Sequence, residues 1–359
     1  MNESTIDLLR ELTETNGVPG FESRIASVMR TQLEHICEIS SDNLGSLVAR
    51  LDGAGERPRV MLAGHMDEIG FMVKLVTEEG FVKFAQLGGW WEQVLLGHRV
   101  IIETANGPVT GVIGSKPPHL LPEDERSKVV KRKDMFIDVA ARDREHAEEQ
   151  LGIRAGDPIV PWSPFEVLAD EDRLLAKAWD DRVGVALIIE ALQELADGKH
   201  PNTVFGVGTV QEEVGLRGAE TSADVVDPDV ALILETAIAG DVPGISDDES
   251  NVKLGEGVTL YMLEGSAIPN LRLRDLAIDL CEANDLDYQL TALERGGTDA
   301  GRIHQHARGV PSLVLGVPTR HIHSHSGIIS AADYETTLSL TVALCEALDE
   351  DAVAQMNGG

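Results

Sequence analysis

Two adjacent carboxylates, Glu212 and Glu213, stand where an apolar run from Thr203 to Val210 ends. Both ionised in a partly dry site, they would repel strongly unless cations neutralise them. Neighbouring side chains also point different ways, so one can ligate an ion while the other faces a substrate as a base. Four more places have related chemistry. The run Val60-Met61-Leu62-Ala63-Gly64 ends in His65-x-Asp67, whose period-two spacing puts both side chains on one face. A His there can bind a metal while Asp67 orients or polarises it. Trp179-Asp180-Asp181-Arg182 precedes an apolar helical stretch, either as a helix cap or with one carboxylate bridging two cations while its neighbour holds the loop. Glu235 follows the run Ala231 to Leu234 directly, a costly place for an unpartnered acid. His321, His323 and His325 alternate in one short segment. If that segment is extended all three share a face, and spacing does not say which is a ligand. Clustered histidines favour a transition metal over Mg or Ca.

The conjunction says more than any member. Five sites supply at least two His and four or five carboxylates, an inventory that suits two divalent cations sharing a carboxylate, about 3.5–4 Å apart.

The elements that must position these groups follow from periodicity. Ile6, Leu9 and Leu12 form one helical stripe; Phe21, Ile25, Met29, Leu33 and Ile36 form a second after the turn Gly17-Val18-Pro19-Gly20. From Phe71 to Phe165 short β-rich pieces alternate with turns, interrupted by a helical patch at Arg144 to Leu151, which predicts a small barrel or sandwich. Beyond Leu168 apolar strand-length runs (Thr203 to Val210, Val230 to Leu234, Val258 to Leu263, Tyr288 to Leu293, Ser312 to Val317) alternate with helical faces, the last from Ala331 to Leu348. The expected fold is α/β: a mixed, mostly parallel sheet sandwiched by helices, carrying an inserted small β-barrel. The expected division is 1–70 and 166–359 as the two parts of one catalytic domain, with 71–165 inserted. In such sheets active sites gather at the carboxyl ends of the strands, where the five motifs fall.

Composition narrows the class. Asp and Glu number 61 against 30 Lys and Arg, a net charge of −31, which repels phosphate backbones and argues against nucleic-acid binding. Only 9 of the cations are Lys, against 21 Arg, a balance expected of a surface kept hydrated in concentrated salt, hence a halophilic setting. Cys37, Cys281 and Cys345 form no CxxC pair and read as reduced, packed thiols. The start, MNESTIDLLRELTETNG, is acidic where a signal peptide is basic, and no apolar run is long enough to span a bilayer. The expectation is a cytoplasmic protein without a membrane partner.

Five motifs in order carry a resemblance: GHMDEIG at Gly64 to Gly70, KAWDDRVG at Lys177 to Gly184, QEEVGLRGA at Gln211 to Ala219, ETAIAGDVPG at Glu235 to Gly244 and PTRHIHSHSGIIS at Pro318 to Ser330. The chain resembles the M42 metallo-aminopeptidases, the glutamyl- and tetrahedral-aminopeptidase group of the co-catalytic zinc peptidases, over nearly its whole length. The resemblance implies that His65, Asp180 and Glu235 hold one metal. Asp180, Glu213 and His323 would hold the other, with Asp180 as bridge. It makes Glu212 the general base and acid, puts Asp67 behind His65, and implies a cis peptide between Asp180 and Asp181. His321 and His325 inherit no ligand role. The implied cofactors are two divalent ions, zinc or cobalt with manganese as a third choice, which activate a bridging hydroxide. The implied substrates are peptides with a free N-terminus. The implied assembly is a homo-oligomer, dimers building a tetrahedral dodecamer through the insert.

Other features carry smaller expectations. Thr298 or Asp299 is expected to cap a short helix, His98 and His119 to be structural, and Asp247 to Glu249 to form a solvated loop. Trp90-Trp91 is either an interface anchor or core. The same dimetal site is also compatible with an N-acyl-amino-acid deacylase or another amidohydrolase. A silent oligomeric scaffold would lack a ligand or the base, and every expected position is filled.

Overall fold

The computed structural model describes residues 1–196 and 198–356. Helices α1 (Glu3–Glu14) and α2 (Ser23–Leu33) come first, followed by strands β1 (Glu38–Ser41), β2 (Leu47–Leu51) and β3 (Arg59–His65). An inserted unit contributes β4 (Gly70–Val76), β5 (Val82–Leu87), β6 (Arg99–Thr104), β7 (Gly107–Gly114), β8 (Phe136–Asp138) and β9 (Pro158–Pro161). The chain continues through β10 (Glu166–Val167), β11 (Arg173–Ala176), α3 (Trp179–Ala196), β12 (Thr203–Thr209), α4 (Arg217–Val226), β13 (Val230–Ile238) and β14 (Val258–Leu263). It closes with α5 (Leu271–Ala283), β15 (Tyr288–Ala292), α6 (Ala300–Ile303), β16 (Ser312–Arg320), β17 (Gly327–Ser330), α7 (Ala331–Ala347) and α8 (Glu350–Met356).

Eleven strands make one mixed sheet, with β14 and β15 branching from β16 and the rest in the order β1-β2-β12-β3-β13-β16-β17-β11-β10. The four central strands, β12, β3, β13 and β16, run parallel; β2 and β17 pair antiparallel with them on either side, and in the branch β14 pairs antiparallel with β16 and parallel with β15. These strands are buried on both faces, which is why their sequences read as continuous apolar runs rather than alternating ones. One face packs on α1, α2, α3 and α7, around Leu9, Leu12, Met29, Leu187 and Tyr334; the other packs beneath α4 and α6. The insert closes as the barrel β4-β5-β8-β7-β6-β9, with its own core around Phe71, Val82, Ile102 and Ile137.

Several expectations change in detail. Phe21 lies outside the second stripe, 38% exposed on the turn before α2, so the buried face is Ile25, Met29 and Leu33. The patch at 144–151 is only a short turn with a π-helical stretch, His146–Gln150. Glu235 does not end its strand: β13 continues to Ile238, because it stays hydrogen-bonded in register with β16. Trp90 is core and Trp91 is 61% exposed. All three cysteines are buried and free. Asp247, Asp248 and Glu249 lie on an exposed loop. No helix among the described residues is long and apolar enough to cross a membrane.

Candidate metal centre

Parallel strands deliver their carboxyl ends to one rim. His65 closes β3, paired with Thr209 at the end of β12, and Glu212 and Glu213 follow that strand immediately. Glu235 comes up on β13, Asp180 sits at the start of α3, and His323 lies in the loop between β16 and β17. Helix α3 reaches this rim only because glycines let it. A Cβ on Gly184 would sit 2.3 Å from the Leu234 carbonyl and from Asp181 Oδ2, and one on Gly64 would sit 3.0 Å from the Gly184 backbone. The Asp180–Asp181 peptide is cis, and both residues are non-helical.

The six side chains converge around one carboxylate. Asp180 Oδ1 lies 2.8 Å from His65 Nε2, and Asp180 Oδ2 lies 3.0 Å from His323 Nε2. Glu235 Oε2 is 3.8 Å and Glu212 Oε2 3.9 Å from His65 Nε2, while Glu213 Oε1 is 3.3 Å from His323 Nε2. Each histidine is oriented from behind by a carbonyl: His65 Nδ1 is 2.8 Å from the Asp67 oxygen, and His323 Nδ1 2.8 Å from that of Gly89, in the insert. The Asp67 carboxylate is 3.7 Å from His65 and has another task, accepting hydrogen bonds from the backbone N–H of Glu212 and of Glu213. Asp181 likewise works on backbone, its Oδ2 accepting from His65 N and its Oδ1 from Gly184 N.

Electrostatically, acids outnumber the two histidines at the site. Burial, then neighbouring acids, raises the carboxyls of Glu212, Glu213 and Asp181, and brings Glu235 up to about 8. Burial works against charge on His65 and His323, but the acids around them outweigh it, raising His65 and bringing His323 to about 11. Burial also opposes charge on Asp180, yet hydrogen bonds from His323 and His65 hold it low. Glu213 Oε1 has no hydrogen-bond partner although it is buried. His65, Asp180 and Glu213 bring ligand atoms within 4.8 Å of one another, as do His65, Asp181 and Glu235. An orphaned carboxylate oxygen among mixed imidazole and carboxylate donors fits divalent transition ions.

The histidine segment is not extended. His321 and His323 have φ of +60° and +56°, so the three rings diverge. His321 is exposed, His323 faces the site, and His325 is buried, stacked 3.8 Å from the His98 ring and beside Trp90. His119 is exposed on a surface turn. Asp299 does not cap α6; it turns inward, where Thr209 Oγ1 donates to its Oδ2. Thr298 Oγ1 accepts from Ala300 N. Sequence reasoning passed over Glu22, which is 5% exposed and accepts from Gln211 N at 3.0 Å. Its one signal was an acid placed against a Gly-Val-Pro-Gly turn.

Beside the cluster lies a cleft of about 540 Å³, walled by Leu216, Ile238, Tyr261, Leu293 and Ile322, with Arg295 at its rim. A doubly covered sheet with such a rim has donors that could hold divalent ions, an acid beside them and a cleft in which a substrate could lie. The family model described as M42 glutamyl aminopeptidase matches residues 45–340, and the chain belongs to that family; it is a peptide hydrolase. It is 33% identical to the glutamyl aminopeptidase of Lactococcus lactis subsp. cremoris, over 98% of both chains. Its structure superposes on the TET aminopeptidase of the marine sediment archaeon Thaumarchaeota archaeon SCGC AB-539-E09 with a TM-score of 0.97, at 47% identity over 99% of both chains. The TET1 peptidase of Pyrococcus horikoshii, which can assemble into a tetrahedron or a large octahedral shell, matches with a TM-score of 0.87, at 31% identity over 96% of this chain and 100% of that one.

Proposed function

We propose that this rim holds two divalent ions and that the enzyme removes residues from the N-terminus of peptides, with Glu212 as general base and acid. The observation that carries the reading is Asp180, one carboxylate with an oxygen on each of two histidines. His65, Asp180 and Glu235 would hold one ion and Asp180, Glu213 and His323 the other, zinc or cobalt by donor type, with manganese a third choice. Bound there, the ions supply Lewis acidity, which lowers the pKa of water and withdraws charge from the scissile carbonyl.

The protein's own groups do the rest. Glu212 lies 8% exposed at the cleft, its Oε2 3.9 Å from His65 Nε2. It accepts the proton of the attacking water and returns it to the departing amide nitrogen. Asp67 fixes Glu212 and Glu213 through their backbones, and Asp181 fixes His65. The acid-rich end of the cleft suits a substrate's free amine, and the apolar walls suit the first side chain.

The barrel at 71–165 is proposed as the oligomerisation domain between the catalytic segments 1–70 and 166–359, with dimers building a dodecamer and Trp91 as an anchor. Cytoplasmic residence and a halophilic setting belong to the same reading. The test of the activity is release of a chromogenic amine from unblocked and N-acetylated aminoacyl anilides. Chromogen release confined to unblocked substrates is expected; acetate release from the N-acetylated compounds without chromogen would replace an aminopeptidase with a deacylase, and equal chromogen release from both would remove the free-amine requirement.

A further inference from the structure

We infer that Glu22, in the N-terminal helical hairpin, is a positioning residue for Glu212: its carboxylate fixes the turn that aims the base. The inference rests on the reading of Glu212 given above. The hairpin contributes no donor to the metal centre, yet it grips the turn after β12. Three successive N–H groups there donate to two buried acids. Gln211 N donates to Glu22 Oε1 at 3.0 Å, Glu212 N to Asp67 Oδ1 at 3.0 Å and Glu213 N to Asp67 Oδ2 at 3.1 Å. Among the described residues no other side chain accepts from Gln211 N. Gln211 has φ of +57°, in the left-handed region that L side chains avoid, so this backbone needs outside support. The conformation turns the chain so that Glu212 faces the cleft and Glu213 faces His323.

Glu22 is placed for this task rather than for its own helix. It occupies the N-cap position of α2, but its side chain makes no capping hydrogen bond. Its Oε1 instead accepts from Gly20 N at 2.7 Å and reaches Gln211, 189 positions away. The turn that carries it is anchored independently. Glu68 N donates to the Gly17 carbonyl at 2.9 Å, and Arg182 donates to the carbonyls of Leu12, Thr15 and Gly17. Burial, with Asp67 next, brings the Glu22 carboxyl up to about 7. An acid buried at a cost, with its hydrogen bond spent on the residue before the base, is what a positioning group looks like.

Reach and charge can be separated. Glu22→Gln keeps the reach and removes the charge; Glu22→Asp keeps the charge and withdraws the oxygens by one methylene; Glu22→Met removes the acceptor. In the metal-loaded full-length enzyme, with the unblocked aminoacyl p-nitroanilide that wild type cleaves fastest, kcat should stay within about threefold in the Gln variant. It should fall about 30-fold or more in the Asp and Met variants, since a misplacement near 1 Å costs on that order. KM and metal content should be unchanged in all three. Hydrogen exchange over 210–216 should accelerate in the Asp and Met variants and not in the Gln variant. Wild-type kcat and exchange in Glu22→Asp, or an equal loss in Glu22→Gln and Glu22→Met, would overturn the inference. Should Glu22→Met not fold, the Gln and Asp pair decides alone. A wild type that cleaves no free-amine anilide defeats the peptidase reading, and the exchange experiment then still judges the Glu22 contact.

Discussion

The proposed tasks of Asp180 and Glu212 are separable, and substitution should separate them. Glu212→Gln keeps every proposed ligand and removes only the proton carrier. Metal content should stay at wild type while turnover falls by about 10² to 10⁴, the range set by general acid–base catalysis. Asp180→Asn removes the negative charge and replaces one of the two oxygens that face His65 and His323. It should lower the affinity of both ions together, read by calorimetric titration, whereas loss of one ion alone would contradict the bridge. Glu22 adds a pH dependence with a defined sign. Its carboxyl is raised by burial from 4.5 to about 7, so the folded state holds its proton more tightly than the unfolded chain does. Stability from this group is therefore complete below pH 4.5 and is lost as pH rises through 7. Glu22→Gln does not titrate, so its melting temperature should gain on wild type between pH 5 and pH 8; a constant difference would contradict this.

At the scale of elements, three buried charges tie the hairpin, the β3–β4 junction and α3 together. Lys177 Nζ donates to both oxygens of Glu68, at 2.6 and 2.7 Å, and Arg182 joins at 3.5 Å. All three side chains are at most 3% exposed. Lys177→Met leaves Glu68 under-compensated and should cost about 3 kcal/mol in urea unfolding, the scale for breaking a buried pair. Replacing Glu68 by Gln in the same chain should recover part of that loss. The elements were largely legible from apolar periodicity, because doubly buried strands need continuous apolar runs. Their ends were less so. Glu235 reads as a terminator in sequence, yet hydrogen bonds to β16 carry β13 three residues past it. The His321–His325 segment reads as alternating, but positive φ at two non-glycine residues rotates its rings apart, and no local signal marks that. Of the two expected cap residues Thr298 makes the contact, while Asp299 turns inward to the Thr209 hydroxyl, a partner distant in the chain. The ligand-type residues were visible as acids or histidines beside apolar runs. Their supports, Glu22 and Gly89, were not, because these contacts join segments far apart in the chain.

For the whole molecule, the net charge of −31 makes self-repulsion a global term that salt screens. The melting temperature should rise between dilute buffer and about 3 M KCl by about 10 °C or more; no change would remove the halophilic reading. The barrel exposes Trp91 beside a segment that also supports His323 through Gly89. Trp91→Glu should shift sedimentation toward smaller species, and an unchanged profile would move the subunit contact elsewhere.

The proposed activity requires two ions acting as one centre on a free-amine substrate. The most direct measurement is turnover of an unblocked aminoacyl anilide by metal-stripped enzyme as zinc or cobalt is titrated back. Activity should be absent in the stripped enzyme and should saturate at about two equivalents per subunit. Full activity without added metal, or saturation at one equivalent with no further change, would contradict it.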